Sequence, residues 1–327
     1  MLPLLAAFLS LAFLAPAAPA AAKEAPAYVA VGDSRAFGVG ASDPATGGYV
    51  AITHDALHRS ERYRQRGLEL LNLGVPGATT SDLLLPGGQL EQAVAEITDR
   101  QDDTSSADDN VEIITVNIGA NDVLALVTPD SPCVADPRSS ECQDRLQEML
   151  DTLADDLTQV LRRLREAAPK ADIIVLDLYS PLSGRGEPAD LVADLAVREI
   201  NAVTEQVVSD PELRVKLVSV YELFRGRASQ LVADDNLHPN DDGHALMAEV
   251  VRAAIEDREP VFPDKLMTPA AVQEIAQPPM GEGGLMPVSQ DEDSGGASLP
   301  LFLAIAIPAS LLGLGAVAGA YRAARGR

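Results

Sequence analysis

Short apolar runs alternate with longer segments of helical periodicity along the middle of the chain. Five runs rich in valine, isoleucine and leucine have the length of β-strands, and they lie at residues 28–31, 68–73, 111–118, 172–178 and 215–220. The third and fourth runs are apolar at nearly every position, which indicates strands that are buried on both faces of a sheet. The pattern therefore predicts five strands, with the third and fourth at the centre.

The segments between these runs repeat their apolar positions with the spacing of amphipathic helices. In the longest segment the apolar positions fall on one helical face, and they are Leu146, Leu150, Leu153, Leu157, Leu161 and Leu164. Residues 191–208 and 245–255 show the same spacing. Strands that alternate with helices are typical of an α/β fold in which helices cover both faces of a parallel sheet. Ligands bind such sheets at the carboxyl ends of the strands, so the polar residues after each run are the candidates for function.

Two apolar segments lie outside this alternating region. Residues 2–15 are almost continuously apolar and lead into an Ala-x-Ala pattern, which predicts a signal peptide over residues 1–22. Residues 299–320 contain no charged side chain and are long enough to cross a bilayer as a helix. The arginines in residues 321–327 predict a cytoplasmic tail, because positive charge beside a span stays on the cytoplasmic side.

The segment before the predicted span is rich in proline, glycine and acidic residues. Residues 259–298 bury too little apolar surface to fold, so we expect a disordered linker. The folded domain then covers about residues 25–258, and the predicted span would tether it to a membrane on the extracytoplasmic side.

Charge and cysteine content narrow the function classes. The formal net charge of −24 excludes nucleic acid as a partner, because binding it requires clustered positive charge. The two cysteines, Cys133 and Cys142, lie close together, and in an exported protein this spacing predicts one local disulfide. His54 and His58 are spaced like a zinc pair, but an aspartate stands where zinc proteases have glutamate, and no third ligand is near. We expect neither a metal nor a cofactor.

Polar residues that suit acyl transfer follow four of the predicted elements. Ser34 follows the first run, Gly77 the second and Asn121 the third, while Asp235 and His238 come after the fifth. A serine nucleophile needs a base beside it, the base needs a carboxylate to orient it, and the oxyanion needs fixed hydrogen-bond donors. Ser34 would attack, His238 would carry the proton and Asp235 would orient the imidazole. The Ser34 and Gly77 backbone N–H groups and the Asn121 side-chain amide would form the oxyanion hole.

Each of these residues has a plainer interpretation when taken alone. Ser34 suits a helix cap, Gly77 a turn, Asn121 a second cap, and Asp235 with His238 a solvated loop. Their occurrence in this order at four strand ends favours a single site.

The four blocks "GDSR", "NLGVPG", "GAND" and "DNLH" resemble those of the SGNH hydrolase superfamily, also called GDSL esterases and lipases. The resemblance covers about residues 26–256. It implies a three-layer α/β/α sandwich with a five-stranded parallel sheet of the flavodoxin-like type, and the same roles for the five residues named above. Arg35 follows the serine where leucine is frequent in that family, and we expect it to affect substrate choice.

The residues predict an esterase but leave other functions open. Hydrolases and acyltransferases share the acyl-enzyme, and the sequence does not distinguish water from another hydroxyl as the acceptor. A non-catalytic surface binding module is the alternative from a different class. For the esterase, the substrate is an acyl or O-acetyl ester of a lipid or a carbohydrate, either as a small molecule or on a polymer.

Overall fold

The computed structural model describes residues 25–102, 110–128, 131–136, 138–185 and 188–263. These residues form one sheet of five parallel strands in the order β2-β1-β3-β4-β5. The strands are β1 (Ala27–Gly32), β2 (Glu69–Asn72), β3 (Val111–Asn117), β4 (Asp172–Leu176) and β5 (Val215–Val218). The five predicted strands and their parallel arrangement are confirmed, and the strand order is that of flavodoxin-like folds.

Helices connect the strands and cover both faces of the sheet. Within the described residues they are α1 (Ser34–Phe37), α2 (Pro44–Gly47), α3 (Tyr49–His58), α4 (Thr80–Leu83), α5 (Gln89–Asp102), α6 (Ala120–Leu124), α7 (Pro132–Ala135), α8 (Ser140–Ala167), α9 (Pro188–Val208), α10 (Tyr221–Phe224), α11 (Ala228–Leu231) and α12 (Asp241–Ile255), with a 3₁₀ turn at Ala125–Val127. The three helical segments predicted from periodicity correspond to α8, α9 and α12.

Two apolar cores lie on opposite sides of the sheet. Successive strand side chains point to opposite faces, so Tyr28 packs in one core and Val29 in the other. The first core includes Leu246 of α12, and the second includes Leu161 of α8. The result is the three-layer arrangement that the family resemblance implies.

Helix α8 shows how the sequence determines one of these layers. Its N-cap Ser139 accepts a hydrogen bond from the backbone N–H of Cys142, and all six leucines of the predicted stripe are buried. The disulfide between Cys133 and Cys142 is present, and it joins α7 to the first turn of α8. The prediction of a local disulfide is thus confirmed.

Several sequence predictions fall on other parts of the chain. The signal peptide at residues 1–22, the span at 299–320, the tail at 321–327 and the linker beyond residue 263 lie outside the described residues. Among the residues that the structure describes, no helix has both the length and the apolar character needed to cross a membrane.

Candidate active site

The first strand ends in a tight turn that places Ser34 at the start of a helix. A side chain at Gly32 would come within 2.3 Å of the Asn117 carbonyl oxygen on β3, so only glycine fits there. Asp33 is the N-cap of α1, and its carboxylate accepts the backbone N–H of Arg35 at 2.9 Å. The helix cap is therefore Asp33, and the Ser34 hydroxyl is available for another contact.

Arg35 and Asp33 form a buried ion pair beneath this turn. The guanidinium donates from Nε to Oδ1 at 3.1 Å and from Nη2 to Oδ2 at 2.7 Å, and the two side chains are 5% and 0% exposed. Burial alone lowers the pKa of Arg35, but the adjacent Asp33 outweighs burial and raises it, so the arginine stays charged. We expected Arg35 to affect substrate choice, but its side chain is buried against Asp33 and supports the turn.

Ser34, His238 and Asp235 form one hydrogen-bonded chain. The Ser34 Oγ lies 2.8 Å from His238 Nε2, across 204 positions of sequence. His238 Nδ1 lies 2.5 Å from Asp235 Oδ2. Two aspartates, Asp234 and Asp235, stand side by side in the sequence, and it is Asp235 that contacts the imidazole.

The Asp235 carboxylate determines which nitrogen of His238 carries the proton. Burial raises the pKa of Asp235, but hydrogen bonds from His238 and from the backbone N–H groups of His238 and Leu237 outweigh burial and hold the pKa at about 2. An ionised carboxylate only accepts hydrogen bonds, so Nδ1 carries the proton. The Nε2 lone pair is then directed at the Ser34 hydroxyl.

The glycine block and the asparagine block lie against each other next to this chain. Asn121 is 8% exposed, and its Nδ2 donates to the carbonyl oxygen of Ala78 at 2.9 Å, directly after Gly77. Gly77 is buried and has a φ of 82°, which glycine adopts without strain. The Val75 N–H donates to the Gly32 carbonyl at 3.0 Å, so the glycine block also contacts the Ser34 turn.

The buried carboxylate of Asp122 fixes these two blocks to each other. It accepts the backbone N–H of Thr80 at 3.1 Å and the Thr80 hydroxyl at 2.6 Å. Burial raises the pKa of this carboxyl, and the Thr80 hydrogen bonds oppose that shift. The structure thus brings all five predicted site residues to one edge of the sheet.

A loop over residues 38–48 flanks the site and is attached to α12. Fully buried His244 accepts the Tyr49 N–H at Nδ1, 3.1 Å away, and its Nε2 lies 3.0 Å from the Val39 carbonyl oxygen. Gly40 of this loop has a φ of 96°, and a side chain there would come within 2.8 Å of His238 Cβ. The loop therefore packs directly on the histidine of the site.

Three further side chains hold the site together and were not found from the sequence. Gln89 hydrogen-bonds both the N–H and the C=O of Gly32, at 2.8 and 2.9 Å. The Tyr179 hydroxyl donates to the Leu237 carbonyl at 2.6 Å, and His244 holds the flanking loop. His244 lies one residue before the predicted start of its helix, which gave a weak signal, whereas nothing in the sequence pattern distinguished Gln89 or Tyr179.

The histidines of the possible zinc pair have other partners. His54 Nε2 and His58 Nδ1 lie 2.8 and 3.3 Å from the same carbonyl oxygen, that of Leu68. The part of the chain that the structure describes contains no group of three or more His, Cys, Asp or Glu side chains that could hold a metal ion.

Known proteins share both the sequence pattern and the fold. The sequence profile of the GDSL-like lipase/acylhydrolase family matches residues 30–246. The spore germination lipase LipC of Bacillus licheniformis is 27% identical over 244 residues, which are 69% of this chain and 95% of that protein. The uncharacterized protein YpmR of Bacillus subtilis is 24% identical over 242 residues, 72% of this chain and 83% of that one. The crystal structure of the lipase Lip_vut3 from a goat rumen metagenome has the same fold, with a TM-score of 0.53 and 22% identity over 70% of this chain and 97% of that chain.

Proposed function

The chain belongs to the GDSL-like lipase/acylhydrolase family, hydrolases that act on ester bonds, and from this premise we propose that it is a serine esterase in which Ser34 forms an acyl-enzyme. The observation that carries the proposal is the chain of hydrogen bonds from Ser34 through His238 to Asp235. The substrate is an acyl or O-acetyl ester of a lipid or a carbohydrate. The similarity to a protein named a lipase supports the acyl ester of a lipid within that class.

Acylation begins with the transfer of the Ser34 hydroxyl proton to His238 Nε2. The Ser34 Oγ bonds to the ester carbonyl carbon, and the carbonyl electron pair moves to its oxygen. When the tetrahedral intermediate collapses, the bond to the alcohol oxygen breaks and His238 returns its proton to that oxygen. Asp235 stays ionised and stabilises the imidazolium between the two transfers.

Deacylation repeats the same steps with water as the nucleophile. His238 takes a proton from water, the hydroxide oxygen bonds to the acyl carbon, and the proton returns to Ser34 Oγ as the acid leaves. The oxyanion of both steps is stabilised by the Ser34 and Gly77 backbone N–H groups and by the second N–H of Asn121, whose first N–H binds the Ala78 carbonyl. Because one N–H of the Asn121 amide is already bound to the Ala78 carbonyl, the amide is fixed in place before the substrate arrives.

We also propose that the enzyme acts outside the cytoplasm, attached to a membrane. The apolar pattern of residues 299–320, the arginines after it and the predicted signal peptide at residues 1–22 support this placement. The Cys133–Cys142 disulfide supports it as well, since such bonds persist in oxidising compartments. In a bacterial host, the full chain should stay with carbonate-washed membranes and be cleaved by protease added to intact cells, and recovery from the soluble cytosol would contradict the placement.

Substitution of Ser34 tests the mechanism. The full chain in detergent should hydrolyse p-nitrophenyl butyrate, and a fluorophosphonate probe should label the peptide that contains Ser34. Ser34→Ala should abolish both signals, because no other group here would form the acyl-enzyme. Ser209→Ala is the matched control, since Ser209 is exposed at the end of α9 and its hydroxyl binds only the nearby Gln206 carbonyl. Undiminished turnover by Ser34→Ala would refute the mechanism.

A further inference from the structure

The peptide unit that precedes His238 is held at both of its polar ends. Its N–H, which belongs to His238, donates to Asp235 Oδ1 at 3.0 Å. Its C=O, which belongs to Leu237, accepts the Tyr179 hydroxyl at 2.6 Å. The first contact lies within the Asp-x-x-His block, whereas the second comes from Tyr179, in the segment that follows β4.

Tyr179 is a rigid donor. It lies just after the carboxyl end of β4 and is 5% exposed, and its ring stacks on Phe224 with centroids 4.0 Å apart and planes 17° apart. Burial raises the pKa of its hydroxyl, so the group stays neutral and keeps the proton that it donates. Burial and the stacking of the ring on Phe224 therefore limit the movement of this hydroxyl.

The loop that carries His238 has little regular structure of its own. It is closed by an antiparallel bridge between Val232 and Pro239 and by backbone hydrogen bonds, among them one from the Ala233 N–H to the His238 carbonyl at 2.8 Å. Asn236 at its tip has a φ of 59°, a left-handed conformation that is uncommon outside glycine. A contact that ties this loop to the sheet therefore limits how far the imidazole can move.

We propose that Tyr179 is a positioning residue for the reaction: its hydroxyl fixes the Leu237–His238 peptide unit and thereby holds His238 Nε2 at hydrogen-bonding distance from Ser34. This inference rests on the proposed role of His238 as the base. Removing the hydroxyl leaves every reacting group in place and loosens only their alignment. Misplacement of a catalytic group by about 1 Å can cost on the order of 100-fold in rate, so partial loosening should cost about 10-fold in kcat.

Tyr179→Phe is the direct test, because it keeps the ring that stacks on Phe224 and removes only the donor. Tyr28→Phe is the matched control: Tyr28 is fully buried, its hydroxyl hydrogen-bonds the Thr115 hydroxyl at 3.0 Å, and it is the second residue of β1, whereas Ser34 follows the carboxyl end of that strand. Both variants should lower the midpoint of urea unfolding to a similar degree. Activity is then measured on the full chain at a urea-free condition where both are folded.

The expected results distinguish an effect on the alignment of the catalytic groups from an effect on the stability of the fold. Tyr179→Phe should lower kcat for p-nitrophenyl butyrate about 10-fold with KM unchanged, and the rate of fluorophosphonate labelling at Ser34 should fall in parallel. Tyr28→Phe should leave both rates close to those of the wild type. Wild-type kcat and labelling in Tyr179→Phe would overturn the inference, and so would equal losses in the two variants.

Failure of the proposed function would look different. In that case the wild-type chain would not be labelled at Ser34, or Ser34→Ala would retain turnover, whatever the state of Tyr179. A labelled wild type together with an unaffected Tyr179→Phe would instead leave the esterase mechanism standing and reject the positioning role alone.

Discussion

Acidification should destabilise the fold through His244, the buried histidine that attaches α12 to the loop over residues 38–48. Burial, together with the nearby His238, lowers the pKa of His244 from 6.5 to about 4, while its hydrogen bond to Val39 and the charge of Asp241 oppose the shift. The neutral ring uses both nitrogens: Nδ1 accepts from the Tyr49 N–H, which leaves the proton on Nε2 for the Val39 carbonyl. Protonation would place a second N–H against the Tyr49 N–H.

The size of the effect follows from the difference in proton binding between the two states. Between pH 6.5 and pH 4 the unfolded chain binds a proton at His244 and the folded chain does not, so stability is fully present above that window and falls as the pH decreases through it. The loss in the free energy of unfolding is about 2 kcal/mol between about pH 7 and about pH 5, and it reaches about 3 kcal/mol once the folded form is also protonated.

Urea unfolding of the wild type and of His244→Asn across this pH range measures the effect. Asparagine keeps an acceptor for the Tyr49 N–H but does not titrate. We expect the variant to be less stable at neutral pH, because the Val39 carbonyl loses its donor, and its stability to fall less steeply with acid by about 2 kcal/mol. His58→Asn is the control variant, because His58 is an exposed histidine at the end of α3.

Parallel pH profiles for the wild type and His244→Asn would refute this reasoning. So would an NMR titration in which the His244 ring has the ordinary histidine pKa, because the folded and unfolded chains would then bind the proton over the same pH range. Convergence of the two stability curves toward pH 5 is the result that supports it.

Two further predictions concern the Ser34 turn and the oxyanion donors. Asn121→Ala should lower kcat by about 10²- to 10³-fold, the usual effect of removing one oxyanion donor, and a change confined to KM would place Asn121 outside the oxyanion hole. Asp33→Asn should cost about 3 to 5 kcal/mol in urea unfolding, because it leaves the buried Arg35 charge without its partner, and a loss below about 1 kcal/mol would show that the pair is solvated.

The inner strands were predictable because their apolar runs reflect burial on both faces of the sheet. The runs at 111–118 and 172–178 became β3 and β4, which lie inside the sheet and are buried on both faces. Each predicted run except the first reached one or two residues beyond the end of its strand. In β4 the excess is informative, because Asp177 and Leu178, which follow Leu176, are buried and lead to Tyr179. Periodicity detects burial, and burial does not stop where strand hydrogen bonding stops.

Several contacts around the site could not be predicted from the sequence, because no local pattern indicates which residues pair. Arg35 was expected to affect substrate choice, and only the structure shows that its side chain folds back onto Asp33. Gln89 is the second example, because a glutamine at the start of an amphipathic helix is ordinarily solvated, yet here it binds both polar groups of Gly32 at a separation of 57 residues. A single sequence does not show which distant residues form such hydrogen bonds.

The polar contacts around the site share one property that bears on how the chemistry is controlled. Gln89 binds the backbone of the turn before Ser34, Asp122 binds the backbone after the glycine block, Tyr179 binds the peptide unit before His238, and His244 binds both ends of the flanking loop. Each is a side chain from another element that holds main-chain atoms of a catalytic segment. Because none of them is a reacting group, replacing one should change alignment and therefore kcat, while the acid, base and nucleophile remain in place. On the proposed mechanism, the four sequence blocks determine which reaction is possible, and we expect the rate to depend on side chains that lie largely outside them.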